Sequence, residues 1–261
     1  MPIFENLHVC LKLTTTSIHT IEKKELFKIS KISILIPYQP TNKAREISFN
    51  WIVNFYKITL PEAQICIGYT SNEFFSRSLA INKAARKATG DVFVIVDADI
   101  ICSPDVIRNA VNSLNEAAWI IPFTSIEDIS QNSTLTLFKQ PPKWPILQHL
   151  KTSKRLKGGI RVGGINILRK ESFYSVGGFD ERFIGWGGED DAFCSAMNTI
   201  CGDFTRLNES VFHLWHPPAK ARSNPKHNNN VKLAHQYRNA SGNIPAMLEI
   251  INKNKMYKNT N

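Results

Sequence analysis

The stretch Asp91-Val92-Phe93-Val94-Ile95-Val96-Asp97-Ala98-Asp99 decides how this chain folds. Five consecutive apolar residues of high β-propensity follow the turn signal Thr89-Gly90, a run that fits a strand covered on both faces of a parallel sheet. Its two carboxylates then stand at the carboxyl end. In open α/β sheets that end faces the ligand crevice, so Asp97 and Asp99 are placed where a divalent cation and the phosphates it carries can be held. An isolated Asp-x-Asp is more often a solvated turn, and its meaning depends on its surroundings.

Upstream, Ile32-Ser33-Ile34-Leu35-Ile36 reads as a strand stopped by the turn Pro37-Tyr38-Gln39-Pro40. A helix is expected from Lys43 to Lys57, where Ile47, Trp51 and Phe55 recur every four residues as a core-facing stripe. A second strand, Gln64 to Tyr69, gives way to Thr70-Ser71-Asn72, whose capping chemistry suits a helix from Glu73 to Ala88. The order β-α-β-α-β is that of a parallel sheet with helices on its faces. Downstream, Pro104 suits the first turn of another helix, and Ala118 to Phe123 reads as a further strand. The polar stretch through Asn132 and the segment Gln140-Pro141-Pro142-Lys143-Trp144-Pro145 read as an irregular excursion, either a binding loop or plain surface.

The 261 residues, 43% hydrophobic and 10% aromatic, suffice for a sizeable globular core. No run reaches the roughly 18 apolar residues that cross a bilayer. Glu5, His8 and Lys12 break up the apolar residues of the amino terminus, so no signal peptide is read and a cytoplasmic protein is expected. Cys10, Cys66, Cys102, Cys194 and Cys201 form an odd set without Cys-x-x-Cys spacing, which suggests buried thiols rather than disulfides or a zinc site. A formal charge of +10 suits nucleic acid, an anionic membrane surface or phosphorylated substrates. The positive residues are dispersed, with mild concentrations from Lys151 to Lys157 and in the carboxyl-terminal tail, and no nucleic-acid module accompanies them. Nucleic acid is therefore not expected as a partner. Peripheral contact with a membrane bearing a lipid-linked acceptor is compatible with the charge.

The second informative region runs from Val162-Gly163-Gly164 through Gly177-Gly178-Phe179-Asp180 to Gly185-Trp186-Gly187-Gly188-Glu189-Asp190-Asp191. Its glycines permit positive φ and close approach of backbone to ligand. Glu189-Asp190-Asp191 opens a helix whose amino-terminal amides favour negative charge, and three adjacent acids exceed what capping requires.

Taken in order, Ile36-Pro37-Tyr38, Arg77 with Asn82-Lys83-Ala84-Ala85, Gly90-Asp91, Asp97-Ala98-Asp99, Gly163-Gly164, Gly177-Gly178-Phe179-Asp180, the Gly-Trp-Gly-Gly-Glu-Asp-Asp segment and His213-Leu214-Trp215-His216 form a recognisable pattern. From Lys31 to Pro218 the sequence resembles the GT-A nucleotide-sugar glycosyltransferases. It is similar to family 2-like enzymes whose carboxyl half looks like that of β-1,4-galactosyltransferases, polypeptide N-acetylgalactosaminyltransferases and bacterial chondroitin polymerases. The resemblance implies a single α/β domain with a mixed, mainly parallel central sheet flanked by helices. Within it, residues 1–30 are an arm or leading strand, 31–123 the nucleotide-sugar-binding half, 124–218 the acceptor-binding and catalytic half, and 219–261 a helical tail.

The implied activity is inverting transfer of a sugar, galactose or N-acetylgalactosamine favoured, from a UDP-sugar to a hydroxyl of a saccharide or lipid-linked saccharide. The expected cofactor is Mn²⁺, or Mg²⁺ in its place. The resemblance makes Asp99 a metal ligand and assigns Asp97 to the ribose or, through water, to the metal. His216 is the favoured further ligand, with His213 as the alternative. Asp190 matches the general base, with Glu189 orienting hydroxyls and Asp191 structural; partial burial against Trp186 would raise the pKa of Asp190 toward useful basicity. Trp186 offers a sugar ring a flat face. Tyr38 and Arg77 are candidates for uracil and diphosphate contacts, each also readable as core packing or solvated surface, and Pro37, Gly164 and Gly187 are matched positions on the donor side. The missing stem, membrane anchor and paired cysteines of the galactosyltransferases suggest a bacterial-style enzyme of surface polysaccharide or glycolipid synthesis, at most peripheral at the inner face of the membrane. A sugar-nucleotide nucleotidyltransferase is the rival enzyme, but Pro37-Tyr38-Gln39-Pro40 replaces the Gly-rich loop it would need. A non-catalytic carbohydrate-binding module is disfavoured by the full set of metal and base candidates.

Overall fold

A computed structural model describes residues 31–155, 162–217 and 224–260. The expectation for residues 1–30 lies outside these, as do Leu156 and Lys157 of the basic segment. The central strand β3 (Val92–Val96) is buried at every position. It pairs in parallel with β1 (Ile32–Tyr38), and β1 pairs in parallel with β2 (Gln64–Tyr69). On its other side β3 runs antiparallel to β8 (Ile165–Arg169), which pairs with β5 (Trp119–Ile121), and β5 with β9 (Phe204–Arg206), giving a six-stranded sheet in the order β2-β1-β3-β8-β5-β9. Parallel pairs therefore predominate without being exclusive, in keeping with the expected mixed sheet.

Helix α1 (Lys43–Thr59) is capped by the Asn42 side chain, which accepts from the Arg45 amide. Its buried face holds Phe49, Trp51, Ile52, Phe55 and Tyr56, whereas Ile47 is 42% exposed. The expected stripe thus holds at Trp51 and Phe55 and is corrected at Ile47, which falls outside the buried band centred on Ile52. Helix α2 (Arg77–Ala85) starts four residues later than expected. Ser76, not the Thr70-Ser71-Asn72 group, caps it, because the Ser76 hydroxyl both accepts from the Leu79 amide and donates to the Phe183 carbonyl. The later start puts Arg77 in the first turn. This helix lies directly on β2, since a Cβ added at Gly68 would stand 1.7 Å from the Ala80 carbonyl oxygen.

Helix α3 (Pro104–Ser113) begins at the expected proline. Part of the segment expected to be irregular is regular. It contains β6 (Ser125–Ile129) and the start of α4 (Gln131–Phe138); β6 and, beyond that segment, β7 (Thr152–Lys154) join β4 (Ile100–Ile101) and β10 (Ser210–His213) in a four-stranded sheet ordered β4-β10-β6-β7. Helices α5 (Lys170–Ser175) and α6 (Glu189–Ile200) follow β8. The carboxyl-terminal region forms α7 (His227–Asn239) and α8 (Ile244–Thr260). These helices are tied to the body of the protein: Tyr237 donates to Asp180 at 2.9 Å, and Arg182 pairs with Asp180 at 2.6 Å and donates to the Ile250 carbonyl. The four described cysteines are free, Cys66 and Cys102 buried. Among the described residues no helix is long and apolar enough to cross a membrane.

Candidate active site

Two clusters meet at the carboxyl end of β3. The first is built by the small sheet. Strand β4 continues directly from Asp99 and pairs antiparallel with β10, with His213 opposite Ile100, and the Leu214 amide donates to the Asp99 carbonyl at 2.8 Å. The strand ends at His213 and the chain then bends, so His216 reaches the same point. Asp99 Oδ2 lies 3.3 Å from His216 Nε2 and 3.8 Å from His213 Nε2. One ligand atom from each of the three residues falls within 4.8 Å of the others, the donor set of a transition-metal site.

The far nitrogens of both rings also have partners, and His216 Nδ1 has a second one in Arg45 Nη2 at 3.3 Å. His213 Nδ1 lies 3.1 Å from Asp128 Oδ1, and His216 Nδ1 lies 2.9 Å from the Pro217 carbonyl oxygen. As it stands His216 hydrogen-bonds Asp99, which raises the pKa of its ring; with a metal bound, an Nδ1–H donated to each acceptor would leave the Nε2 lone pairs to the ion, the usual arrangement behind metal-bound imidazoles. Asp128 is itself paired with Arg155, whose Nε donates at 2.8 Å. Burial opposes charge on Asp99, but the His216 hydrogen bond and the His213 charge outweigh it and hold the carboxyl down to about 2. Burial lowers the pKa of His213.

The second cluster joins Asp97 to the acids that open α6. Arg77 Nε donates to Asp97 Oδ1 at 2.7 Å and Nη1 to Asp190 Oδ1 at 2.6 Å. The other oxygen of Asp190 lies beside Gly163, where an added Cβ would be 2.2 Å away. Gly188 caps α6 with φ 90° and Gly187 has φ 120°, so the chain enters the helix through left-handed glycines and the Gly187 amide donates to Glu189 Oε2 at 3.1 Å. Burial and the neighbouring Asp190 raise the Glu189 carboxyl to about 7. Burial also raises Asp190, against the opposing pull of Arg77.

Several expectations change here. Trp186 is 62% exposed, so burial rather than that ring perturbs Asp190; its flat face stands free at the rim. Arg77, a candidate for the diphosphate, is engaged by two carboxylates. Tyr38, a candidate for uracil, stacks on Phe49 with centroids 3.8 Å apart and is only 6% exposed, because its position in β1 turns the ring into the core. Pro37 is likewise buried within β1. Gly164, at φ 94°, accepts from the Asp97 amide through its carbonyl and so shapes the Asp motif from β8's side. Asp191 is exposed. Asp128 and Arg155 are the residues that sequence reasoning missed. In Ser125-Ile126-Glu127-Asp128-Ile129 the apolar residues stand three apart, so no alternation marks the strand, and nothing local signals that it pairs with β10 and sets Asp128 opposite His213.

Comparison with solved structures places this architecture. GalNAc-T7, crystallised with UDP, GalNAc and Mn²⁺, superposes with TM-score 0.51 at 12% identity over 88% of this chain and 55% of its own. The chain has the GT-A glycosyltransferase fold. Residues 1–349 of S. aureus TarS, in complex with UDP-GlcNAc, match with TM-score 0.51 at 9% identity over 79% of this chain and 66% of that one. The family model "Glycosyl transferase family 2" matches residues 62–177 of this GT-A chain, and the model "N-terminal domain of galactosyltransferase" matches residues 149–217. Among relatives, β-1,4-galactosyltransferase 4 of Cricetulus griseus is 23% identical over 177 residues, 64% of this chain and 42% of that protein. The human β-1,4-galactosyltransferase 4 is 32% identical over 81 residues, 30% of this chain and 24% of its own. The chain thus spans less than half the length of these galactosyltransferases, and the match to the galactosyltransferase model falls in its carboxyl half.

Proposed function

We propose that this chain is a metal-dependent inverting glycosyltransferase that moves a hexose from a UDP-sugar to a hydroxyl of a saccharide or glycolipid acceptor, in bacterial surface polysaccharide synthesis. The observation that carries this is the junction of the two clusters: Arg77 ties the carboxylate of Asp190 to Asp97, two residues from the Asp99 that stands among His213 and His216. Asp99, His213 and His216 would hold Mn²⁺, the ion crystallised with GalNAc-T7. When bound it supplies charge stabilisation for the departing diphosphate. Asp190 takes the proton of the acceptor hydroxyl as its oxygen bonds to the anomeric carbon and the bond from that carbon to the diphosphate breaks. Glu189, raised to about 7, is partly protonated at neutral pH and can donate as well as accept hydrogen bonds from sugar hydroxyls. Trp186 offers its exposed ring to an acceptor sugar. The β-1,4-galactosyltransferase likeness favours galactose, with N-acetylgalactosamine next. Assaying UDP release from a panel of UDP-sugars with Mn²⁺, with and without acceptor saccharides, tests the proposal. Acceptor-stimulated UDP release is expected; diphosphate release from a nucleoside triphosphate, or no turnover with any donor, rejects it.

The His213–Asp128 contact gives a separate expectation. Asp128→Asn removes the charged acceptor behind His213 and leaves Arg155 uncompensated next to the ring. Mn²⁺ affinity, measured by electron paramagnetic resonance of the free ion, should fall roughly 10- to 100-fold, as it does when the hydrogen-bond partner of a ligating imidazole is lost. Unchanged affinity would mean that His213 is not a ligand oriented by Asp128.

A further inference from the structure

We infer that Arg77 is a positioning residue that orients the Asp190 carboxylate for proton abstraction, rather than a donor contact. The inference rests on the proposed role of Asp190. Arg77 is 9% exposed and stands in the first turn of α2, where the Ser76 cap fixes its backbone. Its guanidinium lies 5.5 Å from the centroid of the Phe179 ring. That ring is held in turn, because Asn82 donates to the Phe179 carbonyl at 2.8 Å and accepts from its amide at 3.0 Å. A planar cation held over a fixed ring presents its nitrogens in fixed directions. Nε takes Asp97 Oδ1 and Nη1 takes Asp190 Oδ1. The remaining nitrogen, Nη2, is sealed from solvent and has no hydrogen-bond partner among the described residues, so the two contacts that fix this guanidinium are both to carboxylates.

The consequence falls on Asp190. With Oδ1 occupied by Arg77, Oδ2 is the oxygen left to take a proton, and it lies where only a glycine at position 163 leaves room. The carboxylate is therefore oriented from both sides. The same guanidinium ties Asp190 to the strand end that carries Asp97 and Asp99, so the base and the donor-side motif share one rigid connection. A lysine at this place keeps the charge but lacks the fork that spans two carboxylates.

Crystal structures of the parent and of Arg77→Lys and Arg77→Gln, with UDP affinity and turnover measured on the same proteins, test this. In both variants the Asp190 carboxylate should leave its place beside Gly163. Turnover should fall on the order of 100-fold, since misplacing a catalytic group by about 1 Å costs that much. UDP affinity in the presence of Mn²⁺ should stay within about threefold, as for a residue that does not bind the donor. An Asp190 carboxylate unmoved in both variants overturns the inference, whether or not the chain transfers sugar. A loss of UDP affinity beyond about tenfold also overturns it by making Arg77 a donor contact. If the parent turns over no UDP-sugar while Asp190 moves in the variants, the proposed function falls and the orienting contact stands.

Discussion

Asp190→Asn is expected to abolish transfer while leaving Mn²⁺ and UDP-sugar binding at the parental level. Asparagine keeps the shape of the side chain, and its carbonyl oxygen can still accept from Arg77 Nη1, so the local structure is retained. What is lost is the ability to take a proton. Removal of a general base costs on the order of 10²–10⁴ in rate with ground-state binding nearly intact. Burial raises the Asp190 carboxyl against the opposing pull of Arg77, so parental turnover should decline on acidification as this group takes up its proton. Retention of more than about a tenth of parental turnover would move the base elsewhere, with Glu189 next in line. Loss of donor binding would instead place Asp190 on the donor or metal side.

Asp99→Asn should weaken Mn²⁺-dependent UDP binding at least about 100-fold, because loss of even the partner behind a ligand costs roughly 10- to 100-fold. Asp99 is the one carboxylate in the group with His213 and His216. Without it two imidazoles remain with no anionic ligand, and a diphosphate in the crevice would face Asp97 and Asp190 with no metal between. Calorimetric titration of UDP into the parent with Mn²⁺ and then with chelator should reproduce the loss. Equal affinity in the two titrations is incompatible with the assignment. Asp97→Asn, which leaves the Asp/His/His group whole, should keep part of the binding.

The regular elements around β3 could be read locally because their signals are local. Alternating or continuous apolar residues mark β1, β2 and β3, and Pro104 marks the start of α3. The small sheet could not be read in the same way. Its strands run from two to five residues, and β10 pairs with Ile100 and Ile101 of β4 from more than a hundred positions away. No periodicity within so short a strand names its partner. The misplaced start of α2 has a related cause, since Ser76 was chosen as the cap by its bond to Phe183 in a distant loop.

The same division runs through the site. The residue types and their order, Asp97 and Asp99 after a buried run, Glu189 and Asp190 behind glycines, and two histidines three apart, are properties of the chain, and they point to GT-A chemistry before any coordinates are considered. What those groups do to one another depends on distances that only the packed chain sets. Both histidines face Asp99 because β10 ends at His213 and the chain bends after it. Asp128 stands behind one of them because β6 lies beside β10 in register. Arg77, which the sequence leaves equally suited to a diphosphate, is committed to Asp97 and Asp190 because α2 and the start of α6 converge on the end of β3. An isolated motif specifies which charges are present; the fold decides which are buried together, and burial is what makes each contact strong enough to assign a role.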